Sequence, residues 1–158
     1  MPRLATWALL ALLGGVPAGA CALEVVRVVT PEEVRVRPGT GAQIMLHVVV
    51  RPGYHVQANP VENPSLIPIT LGIEPVDHMV IGSPQYPAAK RLRLEGDERD
   101  LVVYDGRFAI ALPVEVASAA AGTRLTLTGS LRYQACDDRH CLFPVTLPVT
   151  IPVTVGAP

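Results

Sequence analysis

The residues best equipped for chemistry are Cys136 and Cys141, in the stretch RYQACDDRHCLFP from Arg132 to Pro144. Two thiols separated by four residues can form a disulfide, exchange electrons with another disulfide, or hold a soft metal ion. The charges between them compete. Asp137 and Asp138 raise the pKa of a neighbouring thiol, whereas Arg139 and a protonated His140 lower it. That balance suits a disulfide attacked by a partner's thiolate better than a self-activated oxidant. A closed loop of about six residues contributes only ~2 kcal/mol of chain-entropy stabilisation, against ~4.7 kcal/mol for about 100 residues. A domain in need of a staple gains more by joining distant strands, and a small accessible disulfide is the labile kind. Switch and staple both remain open on these grounds.

The pair needs a hairpin to position it. In TRLTLTGSLRYQAC, Leu125, Leu127, Leu131, Tyr133 and Ala135 share one face, and Arg124, Thr126, Thr128, Arg132 and Gln134 share the other. Cys136 therefore ends a strand on the polar face, and Cys141 begins the next on the apolar face with Val145 and Leu147. Partners across a hairpin share a face, so one strand must slip by a residue. Leu142, Phe143 and Pro144 mark the expected bulge, which places the sulfurs at an irregular, partly exposed edge. Opposed residues in a hairpin lie roughly 4.5–5.5 Å apart at Cα, within disulfide range.

The same period of two runs through the rest of the chain. Ile44, Leu46, Val48 and Val50 alternate with Met45, His47 and Val49 before a turn at Pro52-Gly53, and RFAIALPVEV follows a turn at Asp105-Gly106. About seven to nine such strands predict an all-β, antiparallel immunoglobulin-like sandwich with the cysteine hairpin near its C-terminus. PVEVASAAAG has room for one helical turn. In LFPVTLPVTIPVTV, prolines 144, 148 and 152 remove donors from one side of a single strand. An edge strand with Val145, Leu147, Val149, Ile151 and Val153 inward is expected.

The N-terminus reads as an export signal over residues 1–22: Arg3, an apolar run from Trp7 to Val16, then small residues before cleavage after Ala22. The rival reading is a lipoprotein signal over 1–20 with Cys21 lipidated. Either way Cys136 and Cys141 are left as the only thiols, in a compartment where disulfides form readily. Residues 23–158 are expected to form one domain. The formal charge of −1 becomes about −2 once Arg3 is lost. With basic residues scattered, no nucleic-acid footprint is expected, and the membrane is touched only through a lipid anchor.

With these residues in view, the chain resembles the N-terminal periplasmic domain of the thiol:disulfide interchange protein DsbD. LRYQACDDRHCLFP is similar to that family's cysteine hairpin, in the branch with four residues between the cysteines. GYHVQANP (53–60), SLIPITL (65–71) and VYDGRFAIALPV (103–114) resemble its other recurrent stretches in the same order. The resemblance covers roughly residues 43–155. It implies an immunoglobulin-like fold and a protein-disulfide reductase type of redox shuttle. The electron donor it implies is a thioredoxin-like or membrane-embedded thiol reductase. The acceptors are periplasmic disulfide proteins, namely isomerases and cytochrome c maturation factors. Carried over, Cys141 attacks the partner's disulfide and Cys136 resolves the mixed disulfide. Tyr133, Gln134, Asp137, Asp138, Phe143 and Pro144 form the supporting motif.

Two departures stand out. Full-length family members continue into transmembrane and thioredoxin-like parts, so a stand-alone version or a fragment is expected here. The family's cysteines are shielded by a cap loop bearing an aromatic residue, and the segment nearest in order, RLRLEGDERD (91–100), has none. Tyr54, Tyr86 and Tyr104 are the candidates to replace it as cap or partner contact.

Other chemistries find less support. Cys136, His140 and Cys141 could bind Zn²⁺ or Cu⁺, but His140 falls in a tight loop and no fourth ligand is evident. No metal and no cofactor are expected. His47 and His55 read as strand residues and His78 as a surface residue. No G-x-S-x-G elbow is present. The non-enzymatic alternative is a secreted immunoglobulin-like binding or assembly module with an inert disulfide.

Overall fold

The computed structural model describes residues 24–93 and 100–157. The export-signal segment, Cys21 and residues 94–99 of the cap-loop candidate lie outside the described residues. Twelve strands are seen. The first six are β1 (Val26–Val29), β2 (Val34–Val36), β3 (Gly41–Val50), β4 (His55–Gln57), β5 (Thr70–Ile73) and β6 (Met79–Ile81). The others are β7 (Lys90–Leu92), β8 (Leu101–Asp105), β9 (Arg107–Val116), β10 (Arg124–Tyr133), β11 (Ala135–Cys136) and β12 (Val145–Val155). One 3₁₀ turn, Ser118–Ala120, takes the place expected for a helical turn. Among the described residues no helix is long and apolar enough to cross a membrane.

The strands form three four-stranded sheets, ordered β1-β3-β9-β6, β2-β12-β10-β5 and β11-β4-β8-β7. All pairings are antiparallel except β12 with β2. The architecture is an all-β, immunoglobulin-like sandwich. Its core follows from the period of two. Ile44, Leu46, Val48 and Val50 of β3 are buried, as are Ile110 and Leu112 of β9, Leu127 and Leu131 of β10, and Ile151 of β12. The turn after β3 places Gly53 at φ 84°, a left-handed conformation that costs glycine nothing.

The C-terminal strand departs from expectation in two ways. It is not an edge strand in sheet order, because β2 pairs with it over Val153–Val155. Its ladder with β10 is continuous from Tyr133↔Val145 to Arg124↔Thr154, through Pro148 and Pro152. A proline inside an unbroken ladder must turn its missing donor away from that partner. The side away from β10 is therefore open until β2 joins past Pro152. Val149, Ile151 and Val153 are buried as expected, but Leu147 is only half-buried and Val145 is exposed. The strand runs past the end of the core there.

Candidate functional site

The cysteines sit where the chain changes sheets. Strand β10 ends at Tyr133, and after Gln134 the chain joins β4 through Ala135↔Val56 and Cys136↔His55. Cys136 bridges to Cys141 with a disulfide, the Cα atoms 4.0 Å apart, closer than the expected hairpin spacing. The slip read from parity is present. Tyr133 pairs with Val145, yet Cys136 pairs with Cys141. Two residues, 134 and 135, thus oppose three, 142 to 144. Two cross-links hold the bulge, Leu142 N–H to the Ala135 carbonyl at 2.8 Å and Gln134 Nε2 to the Leu142 carbonyl at 3.1 Å.

The loop is held by its own carboxylate. Asp137 Oδ1 accepts from the backbone N–H of Arg139 at 2.8 Å and of His140 at 2.7 Å, and Asp137 N–H donates to the His140 carbonyl at 3.0 Å. These donors keep the Asp137 carboxyl below the usual range. Asp138 is exposed beside Arg139.

The two sulfurs differ in access. Cys136 is 2% exposed, correcting the expectation that the pair would share a partly exposed edge, whereas Cys141 is exposed. The reason is the change of sheet. At β11 the chain leaves the β10 sheet and pairs with β4, which sets Cys136 beside buried His55 and Gln57, and Gln57 Nε2 lies 3.7 Å from Cys136 Sγ. Past Cys141 the chain presents an apolar surface, with Leu142 and Val145 exposed and Phe143 92% exposed. Pro144 is exposed in the same run.

Tyr133 is buried in the core, and burial pushes its phenol up. Tyr104 lies in β8, and Tyr86 in the connection between β6 and β7. Tyr86 Oη accepts the Leu71 N–H at 2.9 Å, while Tyr104 donates to the Pro87 carbonyl at 3.0 Å and packs on Phe108. Tyr54 is half-buried and borders a cleft of about 440 Å³ shared with His55, Leu92, Asp105 and Asp138. Among the described residues no group of three His, Cys, Asp or Glu side chains is placed to hold a metal.

Two residues to which the sequence reading gives no role at the site are found beside it. His55 and Gln57 lie on the same face of β4 as Cys136 does on β11, both buried, at 5% and 0% exposure. The available signal was the H-V-Q pattern, in which two polar residues flank a valine that belongs to the core. Burial disfavours the charged imidazole and lowers the His55 pKa, against the opposing pull of the Asp105 and Asp137 carboxylates. Below its ordinary pKa, about 6.5, the unfolded chain therefore binds more protons at this residue than the folded one. Stability due to neutral His55 is complete above that pH and is lost as pH falls through the lower folded value. Unfolding midpoints measured between pH 7.5 and 5 should fall toward acid, and His55→Gln should flatten that slope. An unchanged slope in the variant would remove His55 as its cause.

Fold and site together define an immunoglobulin-like sandwich that bears an asymmetric cysteine hairpin. The family model described as "Thiol:disulfide interchange protein DsbD, N-terminal" matches residues 25–151, and the chain belongs to that family. Among solved structures, the N-terminal periplasmic domain of ScsB from Proteus mirabilis is similar at 14% identity and a TM-score of 0.49. That match covers 82% of this chain and 45% of the other. The periplasmic chaperone SfaE is similar at 12% identity and a TM-score of 0.41, over 84% of this chain and 60% of its own. The chain thus spans less than half of the first structure and about three fifths of the second. No curated protein matches the sequence.

Proposed function

We propose that this chain is a periplasmic thiol–disulfide exchange domain that carries electrons through Cys136 and Cys141. A thioredoxin-like or membrane-embedded thiol reductase supplies the electrons. Periplasmic disulfide proteins, such as isomerases and cytochrome c maturation factors, receive them. The observation that carries this reading is the asymmetry of the pair. Cys141 is exposed on a short hairpin among apolar residues, and Cys136 is buried behind it. In the dithiol state, the Cys141 thiolate attacks a partner disulfide and one partner sulfur leaves. Cys136 then attacks Cys141 Sγ, the intramolecular disulfide forms, and the second partner thiol is released. Membership in the DsbD N-terminal family supports the same assignment.

Tyr133 and Gln134 brace the bulge that aims the hairpin, and Asp137 fixes its loop. Phe143 and Pro144 offer the apolar contact a docking partner needs, and Tyr54 lines the cleft that Asp138 also borders. Equilibration of the pair against glutathione or dithiothreitol buffers is the deciding measurement. A reduction potential of about −180 to −270 mV, among known exchange proteins, is expected. A value well below about −300 mV marks a resistant structural disulfide and favours the static binding module instead.

A further inference from the structure

On the exchange reading above, one step lacks an obvious agent. Cys136 must lose its proton to displace the partner, yet it is 2% exposed, so water has little access to that thiol. The geometry offers a substitute. In the β11-β4-β8 part of the sheet, Cys136 is the partner of His55, and His55 is the partner of Asp105. Directly opposed residues on adjacent strands point to the same face, with Cβ atoms roughly 4.5–5.5 Å apart. Thiol, imidazole and carboxylate thus form one lateral row across three strands. We propose that His55 is the proton acceptor for Cys136 in the resolving step, with Asp105 on its far side stabilising the imidazolium.

Two further observations point the same way. Among the described residues, two buried side-chain polar atoms have no hydrogen-bond partner, His55 Nε2 and Gln57 Oε1. Buried polar atoms are nearly always satisfied, so orphans in one place call for a function. In the disulfide state Cys136 has no proton to give. In the dithiol state its single S–H supplies the donor that His55 Nε2 lacks. Gln57 Nε2, already 3.7 Å from the sulfur, steadies the thiolate once the proton has left.

The step balances. His55 takes the Cys136 proton, the Cys136 thiolate attacks Cys141 Sγ in the mixed disulfide, and the bond to the partner sulfur breaks with its electron pair. When the domain is instead reduced through Cys141, Cys136 leaves as a thiolate and takes up a proton that neutral His55 relays to it from solvent. The cleft beside His55 connects this relay to solvent. The charged groups around it are Asp105, which is paired with Lys90, and Asp137 and Asp138 of the loop. Tyr54 adds a phenol at the cleft wall.

The test is stopped-flow oxidation of the reduced protein by 5,5′-dithiobis(2-nitrobenzoate). One equivalent of thionitrobenzoate is released when Cys141 attacks and a second when Cys136 resolves. In the wild type the second phase should be nearly flat with pH between neutrality and about 8.5, the ordinary thiol value, because the imidazole already takes the proton. His55→Gln should lower the ratio of second- to first-phase rate at pH 7 by at least about tenfold, and the deficit should shrink as pH rises. Asp105→Asn, at a partly exposed position, should lower the same ratio by a smaller factor and serves if His55→Gln fails to fold. A wild-type second phase that climbs about tenfold per pH unit up to about 8.5 would overturn the role of His55, as would an unchanged ratio in both variants. A pair that dithiothreitol cannot reduce in the folded protein would instead overturn the exchange reading itself.

Discussion

Replacing Cys141 with serine is expected to abolish turnover with a disulfide substrate, by more than about a thousandfold, the order seen when a covalent mechanism loses its nucleophile. Replacing Cys136 alone is expected to leave a protein that reacts once and stops, joined to its partner by a mixed disulfide. The difference follows from access. Cys141 is exposed, and a partner's sulfur can approach it in line. Cys136 is 2% exposed in a strand paired with β4, and the sulfur beside it is that of Cys141, to which it is bonded. Losing the bond removes only ~2 kcal/mol of loop-entropy stabilisation, so both variants should remain folded and the trapping can be read cleanly. An oxidised thioredoxin-like protein, incubated with each variant and resolved without reductant, supplies the measurement. Accumulation of the adduct with Cys141→Ser in place of Cys136→Ser would reverse the two roles.

Gly129→Ala is expected to be the most damaging glycine-to-alanine change in the described strands. Gly129 pairs with Ile73, and a β-carbon there would lie 2.8 Å from Ile73 Cδ1 and 2.9 Å from Ile73 Cα. It would also meet the Gly72 carbonyl oxygen, which is backbone and cannot swing aside as a side-chain tip can. The relief available is separation of β5 from β10. Overpacking of this kind costs about 3 kcal/mol at the upper end of its usual range. For a domain of this size that lowers the unfolding midpoint by roughly 10 °C. Gly72→Ala is the control, since nothing lies within 4 Å of a β-carbon at that position. Calorimetry of the two variants should separate them clearly, and equal midpoints would show that β5 accommodates the methyl group.

Much of this molecule is legible in alternation alone. The burial of Ile44, Leu46, Val48 and Val50, and of Leu127 and Leu131, is the period of two made solid. The slip beside the cysteines is legible as well, because Cys136 and Cys141 fall on opposite parities and a disulfide cannot join opposite faces. What alternation cannot show is which strands meet. Nothing in H-V-Q indicates that β4 lies against β11, so neither the burial of Cys136 nor its row with His55 and Asp105 could be read in advance. The same blindness affects the last strand. Its prolines marked one side as poor for pairing, but that β2 returns in parallel over three residues depends on the path of the N-terminal segment. Parity points Val145 inward, yet it is exposed, because alternation records direction and not where the core ends.

Those prolines bear on how the protein behaves among its own copies. Along the side of β12 that faces away from β10, positions 144, 148 and 152 lack an N–H, leaving Thr146 and Thr150 as the donors between them. A stray strand, whether from a second copy or from a chain not yet folded, would find alternate rungs missing and could not extend a ladder there. The opening exists because β2 is short, and the missing rungs keep it from becoming a seed for aggregation. A crowded solution of this domain is thereby guarded at this unpaired edge by chemistry written into the strand itself.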